Sequence, residues 1–416
     1  MPGSLRRTIV AWVLYDFANS AFAAIVVATI LPAYYANLVV GNAEGRGDFL
    51  WGLAVSTSMV LVAITSPLLG GIADHAGARK RFLVWLSLAS VAATALLATV
   101  GPGDVVGGFA LAVAGIVTFE AAFVYYNSYL PRIAPPEALG RVSAAGFAVG
   151  YAGSLVAFLA AYPFAAAKAY WGCFLVAAAQ FGIFAIPAFV VLPSDTRPAM
   201  RLGTALARGA RETWATLREI LRSRDRIQIR RFLIAYFVYE DGVNTVIFFA
   251  AVFAAKTLGF SFEEIIGLFM LVQISALVGS AVWARPTDRL GPRLVVRVTL
   301  VQWTLVTVLA FFVQVKWQFW VVAVLAGTGL GAVQAASRTF MATLIPRGRE
   351  AEFFGFYSLV GKTGAIMGPL VFGGVSWLLA GNQRAAMVAV GLFFVVGLAL
   401  LSRVRAGGPT AVVQQA

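Results

Sequence analysis

The sequence predicts an all-α integral membrane protein with 12 transmembrane helices, arranged as two six-helix pseudo-symmetric bundles with cytoplasmic N- and C-termini. Three observations support this prediction: an apolar composition, twelve long apolar runs and a one-sided distribution of arginine and lysine. Of the 416 residues, 60% are hydrophobic and 12% are charged, and the mean hydropathy is +0.85. Soluble domains carry roughly twice that charged fraction. The composition therefore excludes one large soluble core.

Twelve stretches of the chain are long and apolar enough to cross a bilayer, which takes about 20 residues of helix. They lie near 8–40, 49–73, 82–101, 104–130, 141–164, 170–192, 229–256, 262–284, 293–314, 317–345, 351–379 and 384–402. A transmembrane β-barrel would show alternating segments of about 10 residues, and these runs are too long and too evenly apolar for that. The first run lacks a signal-peptide cleavage pattern and is predicted to remain as span one.

The net charge of +14 is explained by membrane topology. With a cytoplasmic N-terminus and twelve spans, nearly all arginine and lysine residues fall in inside segments. The exceptions are Lys362 within a span and the residues of the outside segments, which are Arg46, Lys168, Lys256, Lys316 and Arg384. This bias is the positive-inside pattern. It predicts cytoplasmic termini and no nucleic-acid partner.

The longest polar segment, residues 193–228, separates spans one to six from spans seven to twelve. The predicted domains are therefore an N-terminal six-helix bundle at 1–192, a basic cytoplasmic linker at 193–228 and a C-terminal six-helix bundle at 229–416. Within the linker, helical spacing predicts an amphipathic helix with an apolar stripe formed by Leu206, Ala210, Trp214, Leu217 and Leu221. We expect this helix to lie on the membrane face or on the bundle. Specific binding of anionic lipids at the cytoplasmic face is the alternative.

The two halves repeat polar segments at corresponding spans. "AWVLYDFANS" of span one matches "AYFVYEDGVN" of span seven, so that Asp16 corresponds to Glu240. "GGIADHAGARKR" after span two matches "ARPTDRLGPRLV" after span eight, so that Asp74 corresponds to Asp288. Parallel repeats of this kind are typical of one large class of transporters, whose site lies between the halves near the midplane.

With these features the chain resembles the major facilitator superfamily. The resemblance rests on the twelve spans, the six-plus-six repeat, the long central loop and the pattern G-x-x-x-D-x-x-G-x-R-K-R at 70–81. The segments "LYDFANSAF", "YLPRIAPPEALGRVSAAGFAVGY", "YFVYEDGVNT" and "QAASRTFMATLIPRGREAEFFGFYSLVGKTGAIMGP" are similar to its vacuole-effluxer-like branch. That branch is named for fungal vacuolar amino-acid exporters.

Charged side chains inside the spans are candidates for function, because each costs about 2.5–3.5 kcal/mol at a helix centre. They are Asp16, Glu120, Glu240, Asp241, Arg338 and Lys362. The resemblance implies that spans one, four, seven and ten line a central cavity, and only Lys362 lies outside those spans. Glu240 and Asp241 point about 100° apart on a helix. We favour Glu240 as the cavity residue because it matches Asp16.

Helical spacing adds polar neighbours to these charges. The predicted residues that bind substrate or protons in the central cavity are Asp16, Asn19, Glu120, Tyr126, Asn127, Glu240, Asn244, Gln334 and Arg338. Burial favours the neutral form of a carboxyl group, and Glu120 has no basic residue nearby in its own span, so it is the preferred proton carrier. The alternative for each carboxylate is a structural role, either in an ion pair with Arg338 or as a helix cap.

The resemblance implies a gating role for polar residues of two cytoplasmic loops. The predicted gating residues are Asp74, Arg79, Arg81, Asp288 and Arg293. Such an aspartate would cap the N-terminus of a facing helix, where negative charge is favoured, and basic residues such as Lys80 would join the network. The alternative is that the triplet 79–81 serves only as a topology signal.

The expected function is secondary active transport by alternating access, coupled to protons as a symporter or antiporter. The branch name implies a small polar solute such as an amino acid and favours export. The ammonium of a zwitterion would need an anionic partner, such as Asp16, Glu120 or Glu240, and its carboxylate would need a cation, such as Arg338. The alternatives are an exporter of cationic or amphipathic drug-like compounds and a non-transporting membrane receptor or scaffold.

Several other classes are excluded by the residues present. Cys173 and His75 are the only cysteine and histidine, which leaves no disulfide framework and no Cys–His metal cluster. Neither a nucleophile–base arrangement nor a P-loop pattern occurs. We therefore expect no enzymatic activity, no cofactor and no metal. The chain is expected to be a monomer and a multi-pass protein of the cell (inner) membrane.

Overall fold

The computed structural model describes residues 3–42, 45–195, 202–363 and 367–405. Every regular element in these ranges is a helix. The α-helices are α1 (Gly3–Ala21), α2 (Ile30–Tyr34), α3 (Arg46–Ala76), α4 (Arg79–Leu96), α5 (Val105–Ile133), α6 (Leu139–Ala166), α7 (Tyr170–Val191), α8 (Leu202–Arg222), α9 (Ile227–Leu258), α10 (Phe262–Leu290), α11 (Pro292–Phe312), α12 (Lys316–Leu344), α13 (Glu350–Thr363), α14 (Met367–Leu378) and α15 (Gln383–Ser402).

These helices form 12 segments that are long and apolar enough to cross a membrane. The predicted all-α membrane fold is therefore confirmed. Span one runs over Gly3–Val39, where π-helical turns at Phe22–Thr29 and Tyr35–Val39 connect to α2. π-Helical turns are rare and recur at functional sites. Span eleven runs over Glu350–Leu378, and α13 and α14 are its described parts. α8 belongs to the segment between spans six and seven.

The spans are apolar on their exposed faces as well as in their cores. On α11, for example, Trp303 and Leu300 are buried, whereas Val301 is 56% and Phe312 65% exposed. A helix that is hydrophobic all round suits a membrane environment, because lipid solvates the outer face. The exposed apolar side chains are therefore consistent with contact to acyl chains.

Local signals set where individual helices begin and end. α3 is followed by Gly77, whose φ of +60° lies in the left-handed region that favours glycine, and the Gly77 N–H donates to the Ala73 carbonyl. α10 begins with a capping box, in which the Ser261 hydroxyl accepts from Glu264 N and the Glu264 carboxylate accepts from Ser261 N. These residues let neighbouring spans follow each other through short turns.

The chain divides into two compact units. The first unit comprises Met1–Ile133, Val149–Thr213 and Gly348–Leu359, and the second comprises Ala134–Ala148, Trp214–Arg347 and Val360–Ala416. Each unit thus includes one short segment that lies, in sequence, within the other half of the chain. These segments contain the start of α6 and most of α13.

Candidate functional site

A buried carboxylate on α1 is held by a tyrosine of α5 in the first unit. Asp16 is 4% exposed, and the Tyr126 hydroxyl donates to its Oδ2 at 2.7 Å. The Tyr126 ring stacks on Trp12 and Tyr15, with centroid distances of 4.5 and 4.9 Å. In addition, Trp12 Nε1 donates to the Tyr126 carbonyl at 2.9 Å. The tyrosine is therefore rigidly placed, and it orients the Asp16 carboxylate.

Asn19 presents a buried amide one turn further along α1. Within the part of the chain that the structure describes, its Nδ2 atom is buried and has no hydrogen-bond partner. Nearly all buried polar groups in proteins are hydrogen-bonded, so an orphaned donor requires an explanation. The neighbouring Ser20 hydroxyl donates instead to the Asp16 carbonyl at 2.6 Å. A carboxylate or carbonyl oxygen of a solute would satisfy the Asn19 donor.

Two further predicted residues of the first unit lie on α5. Glu120 is 6% and Asn127 is 4% exposed. They are seven residues apart, which places them on the same side of the helix. The Phe119 and Phe123 rings, whose centroids lie 6.2 Å apart, flank Glu120 in sequence. Glu120 is thus a buried acid in an aromatic stretch of its helix.

The predicted residues of the second unit differ in exposure. Glu240 on α9 is buried, whereas Asn244 on the same helix and Gln334 on α12 are half-buried. The residue before Glu240, Tyr239, forms a hydrogen bond with the Ser337 hydroxyl at 2.7 Å. Glu240 is therefore placed on a helix that is firmly attached to α12.

The tyrosine before the carboxylate is bound in a similar way in the two units. Tyr15, which precedes Asp16, forms a hydrogen bond with the Ser87 hydroxyl at 2.6 Å. Its repeat counterpart Tyr239 uses Ser337, as described above. A tyrosine–serine bond at this position therefore attaches α1 to α4 in the first unit and α9 to α12 in the second.

Arg338 on α12 binds the beginning of α6 within the second unit. Its Nε donates to Ser143 Oγ at 3.0 Å and its Nη2 donates to the Ser143 carbonyl at 2.6 Å. The guanidinium lies over the Phe147 ring, 4.1 Å from the centroid. Arg338 is only 1% exposed. A carboxylate of the solute at Arg338 would have to bind N–H groups of the guanidinium other than the two that bind Ser143.

A buried charge cluster lies at the end of α3 in the first unit. The Arg79 guanidinium donates to Asp74 and, at 3.1 Å, to Glu350 Oε2. The second oxygen of Asp74 accepts from the Glu352 backbone N–H at 2.9 Å, in the first turn of α13. Negative charge is favoured at a helix N-terminus. Asp74 therefore caps α13 while it binds Arg79, and we call Asp74, Arg79, Glu350 and Glu352 the first loop cluster.

Further residues surround the first loop cluster. Arg349 Nε donates to Glu352 Oε2 at 3.0 Å. Asp195 accepts from the Arg79 backbone N–H at 2.8 Å and from Arg132 at 2.7 Å. Lys80 donates to the Val190 carbonyl at 3.0 Å. Arg81 is exposed.

The second unit has a smaller arrangement around Asp288. This carboxylate accepts from Gly140 N at 2.6 Å, in the first turn of α6, and from Arg141 Nε at 2.7 Å. The Arg141 side chain is 51% exposed, so this ion pair is far more solvated than the one at Arg79. Arg293 does not join this pair, because its Nη2 donates to the Ser402 carbonyl at the end of α15, at 2.7 Å.

Sequence reasoning did not select Glu350, Glu352 or Asp195. Glu352 is one of the positions at which the halves repeat, since it matches Glu137, and this was the available signal. The role of Asp195 depends on the path of the chain after α7. Asp241 was set aside in favour of Glu240, yet its buried carboxylate accepts from the Met367 N–H at 3.1 Å and from the Gly368 N–H at 3.0 Å.

An apolar cavity of about 70 Å³ lies inside the second unit. It is lined by residues such as Val246, Leu268, Trp303, Phe319 and Met387, and the predicted charged residues are not among its walls. A polar solute would lose its hydrogen bonds there without replacement. We therefore place the candidate site at the buried polar residues rather than in this cavity.

Comparison with known families decides the assignment. The model of the family described as "Vacuole effluxer Atg22 like" matches residues 51–140 and 137–407. The chain belongs to this family. The Atg22-like assignment agrees with the resemblance of the sequence to this branch of the major facilitator superfamily.

One relative of this Atg22-like protein is an uncharacterized MFS-type transporter, YxiO, of Bacillus subtilis. It is 29% identical over 419 residues, which cover 97% of this chain and 96% of the relative. The similarity to a transporter of the MFS type thus extends over almost the whole length of the chain, and this supports a transport function.

Solved structures with the same fold include two transporters. The human organic anion transporter MFSD10 matches with a TM-score of 0.74 at 17% identity, covering 96% of the Atg22-like chain and 100% of its own. The Escherichia coli fucose:proton symporter FucP matches with a TM-score of 0.70 at 13% identity, covering 96% and 97%. At these identities the matches establish the fold of the Atg22-like protein and not its substrate.

Proposed function

We propose that the protein is a secondary active transporter that works by alternating access, couples to protons and exports a small polar solute such as an amino acid. The observation that carries the proposal is the buried group of Asp16, Tyr126 and Asn19, in which one amide donor has no partner among the described residues. The family name "vacuole effluxer" supports export. The fold shared with a fucose:proton symporter is compatible with proton coupling.

The residues of the first unit have distinct proposed roles. Asp16 binds the ammonium of the solute, because a charge-assisted hydrogen bond to a carboxylate is strong in a buried site. Asn19 donates to an oxygen of the solute. Glu120 is the proposed proton carrier, a buried carboxylate on α5 with Phe119 and Phe123 near it in sequence. Tyr126 and Asn127 complete the polar wall.

The residues of the second unit are proposed to act in the same chemistry. Glu240 is the repeat counterpart of Asp16 and offers a second carboxylate, and Arg338 is the cation for a carboxylate of the solute. Asn244 and Gln334 are half-buried amides that can donate or accept hydrogen bonds. The loop residues described above control the state of the protein and do not touch the solute.

The proposal is tested by uptake into proteoliposomes with and without an imposed pH gradient, with a panel of amino acids and of cationic drug-like compounds. We expect gradient-driven accumulation of an amino acid. Glu120→Gln is expected to abolish accumulation while it preserves exchange of internal for external solute, because exchange needs no net proton movement. Glu137→Gln, which changes an exposed carboxylate, is the control. Full accumulation by Glu120→Gln would contradict the proton role.

The same screen separates the alternatives. Accumulation of cationic drugs and of no amino acid would favour a drug exporter, which the acidic residues also suit. The absence of any transported compound would favour a receptor or scaffold. No enzymatic step and no cofactor is part of the proposal. The proposed setting is a monomer in the cell (inner) membrane.

We also propose that α8 lies on a surface of anionic lipid. Its residues Trp214 and Leu221 are each 56% exposed, whereas Thr213 and Ile220 are buried. The Thr213 hydroxyl donates to the Pro67 carbonyl of α3 at 3.2 Å. Trp214 and Leu221, two residues of the apolar stripe predicted from the sequence, are thus exposed. The side chains of Leu206 and Ala210 lie outside the described part of the chain.

Basic residues flank this stripe and favour anionic headgroups. Arg211, Arg218 and Arg222 are exposed, and the Arg218 guanidinium lies 5.4 Å from the Trp214 ring centroid. Exposed apolar residues next to arginines are typical of helices that lie in the membrane interface. Each arginine near an anionic surface contributes about 1 kcal/mol.

Spin-label depth measurements test the lipid contact. A nitroxide at Leu221→Cys, in a Cys173→Ser background, is expected to lie below the headgroups in vesicles of phosphatidylcholine with phosphatidylglycerol. It should be shallower in phosphatidylcholine alone. A label at the exposed Arg224 is the aqueous control. Equal exposure of the Leu221 label to a water-soluble relaxation agent in both vesicles would refute the proposal.

A further inference from the structure

A pocket of about 580 Å³ lies where α9 and α14 end, within the second unit. Pockets that bind small molecules measure about 300–1,000 Å³. The walls of this pocket come from Phe249, Val252 and Lys256 on α9, and from residues of α14 and of the turn that follows it. The buried polar residues of the candidate site are not among its walls. The pocket is therefore a separate feature of the molecule.

The pocket lies at the level where a membrane meets water. Lys256 is two residues before Leu258, the end of span seven, and Trp377 is one residue before Leu378, the end of span eleven. Trp377 is 81% exposed, and tryptophan is enriched at membrane–water interfaces. Because successive spans cross in opposite directions, spans seven and eleven end on the side opposite to α8, which precedes span seven. The pocket therefore belongs to the leaflet that α8 does not contact.

The polar side chains of the pocket offer hydrogen-bond donors. Lys256 is exposed and presents an ammonium group. The Gln383 carbonyl oxygen accepts from the Thr257 hydroxyl at 2.8 Å, which leaves the N–H groups of the amide for other partners. Ser376 adds a hydroxyl, and none of the described residues that line the pocket is acidic. A complementary ligand is therefore an anion with several acceptor oxygens, such as a phosphate.

The other walls of the pocket are apolar or aromatic. The Phe372 ring of α14 stacks on the Phe249 ring of α9, with centroids 3.9 Å apart and planes at 16°. Gly373 leaves open space on α14, because a Cβ atom added there would meet no atom within 4 Å. Contact with these walls removes apolar surface of a ligand from water. A glycerol backbone with acyl chains gains from this contact, whereas a small water-soluble anion does not.

We propose that this pocket binds one anionic phospholipid of the leaflet opposite to α8. The three donor side chains bind the phosphate of the lipid. The aromatic rings contact the glycerol backbone and the first methylene groups of an acyl chain. Binding of this lipid involves neither the solute nor the coupling proton, so it is tested without any transported compound.

Photo-crosslinking tests where the lipid binds. The full-length protein is reconstituted in phosphatidylcholine with a small fraction of phosphatidylglycerol that carries a diazirine near the glycerol end of one acyl chain. Crosslinked peptides are then identified by mass spectrometry. We expect crosslinks within 249–256 and 372–383. Their yield should be about fivefold higher than with the same diazirine on phosphatidylcholine, because one lysine near an anionic headgroup favours binding by about this factor.

A matched pair of glycine variants tests the open space of the pocket. Gly373→Leu fills this space and is expected to lower the crosslinking yield by about fivefold or more. Gly374→Leu is the control, because a Cβ atom there also meets no atom within 4 Å, yet Gly374 does not line the pocket. Leucine is a better helix former than glycine, so both variants are expected to fold.

A matched pair of lysine variants tests the charge. Lys256→Gln is expected to lower the yield with phosphatidylglycerol by about fivefold and to leave the yield with phosphatidylcholine unchanged. Lys168→Gln is the control, because Lys168 is an exposed lysine between spans five and six, on the same side of the membrane. If Gly373→Leu does not fold, the lysine pair decides the outcome.

Three results would overturn the proposal. Parental yields in both Gly373→Leu and Lys256→Gln would show that the lipid does not occupy the pocket. Equal yields with the two lipids would show that the ligand need not be anionic. Loss of the crosslinks in excess glycerol phosphate would show that the pocket takes a soluble phosphate ester. If the protein transports no tested solute, the proposed function fails and the crosslinking result still stands.

Discussion

The Asp16→Asn variant is expected to transport about 10- to 150-fold more slowly than the parent protein. Asparagine keeps the size of the side chain and an acceptor for the Tyr126 hydroxyl, which now donates to Asp16 at 2.7 Å. What is lost is the charge. Hydrogen bonds to charged groups are worth about 1.5–3 kcal/mol, which corresponds to this range of rates. Initial rates of uptake into proteoliposomes measure the effect.

The same variant separates the two roles left open for Asp16. If the carboxylate binds the solute or the proton, the apparent melting temperature of the purified variant stays close to that of the parent while transport falls. If the carboxylate is structural, the melting temperature and the transport rate fall together. Asp48→Asn is a suitable control, because Asp48 is an exposed carboxylate of the first unit with an Asn42 partner at 2.9 Å. Parental transport by Asp16→Asn would exclude a charge role.

The second large effect is expected at Arg79. Arg79→Ala leaves the carboxylates of Asp74 and Glu350 buried without the guanidinium that now binds both. Breaking a buried ion pair in this way costs about 3–5 kcal/mol. At roughly 2–4 °C per kcal/mol, the apparent melting temperature should fall by about 6–20 °C. Thermal unfolding of the protein in detergent measures the change.

Arg141→Ala is the matched control for Arg79→Ala. Arg141 also binds a loop aspartate, Asp288, but its side chain is 51% exposed. Exposed ion pairs contribute about 0–1 kcal/mol, so the melting temperature of this variant should fall by no more than about 4 °C. Equal losses in the two variants would show that burial does not set the strength of the first loop cluster. Arg79→Lys keeps the positive charge but lacks the planar guanidinium group. Its melting temperature should therefore lie between those of the parent and Arg79→Ala.

The twelve helices were predictable because each one is determined by its own stretch of sequence. The length of an apolar run is visible without knowing which helices touch. The predicted span near 49–73 and the observed Arg46–Asp74 differ by only a few residues at each end. The contacts of Asp241 with the Met367 and Gly368 N–H groups were harder to predict, because these partners belong to another helix.

The candidate site was predictable only where its residues lie on one helix, because helical spacing then shows which of them share a face. Asp16 and Asn19 share a face of α1 by spacing alone, and their burial agrees with that spacing. The pairing of Asp16 with Tyr126 required α1 and α5 to be neighbours. Glu350 and Glu352 follow a loop and resemble ordinary solvated charges in the sequence. They are buried because Asp74 and Arg79 face the first turn of α13, which no local pattern indicates.

The short segment Gly348–Leu359 has a consequence for biosynthesis. A ribosome that has delivered the first 213 residues to the membrane has produced almost all of the first unit. It has not yet produced Glu350 or Glu352. Asp74 and Arg79 can bind each other, but their contacts with Glu350 and Glu352 form only after most of the chain has been translated. A nascent chain that ends before Gly348 therefore lacks the two glutamates that complete the first loop cluster.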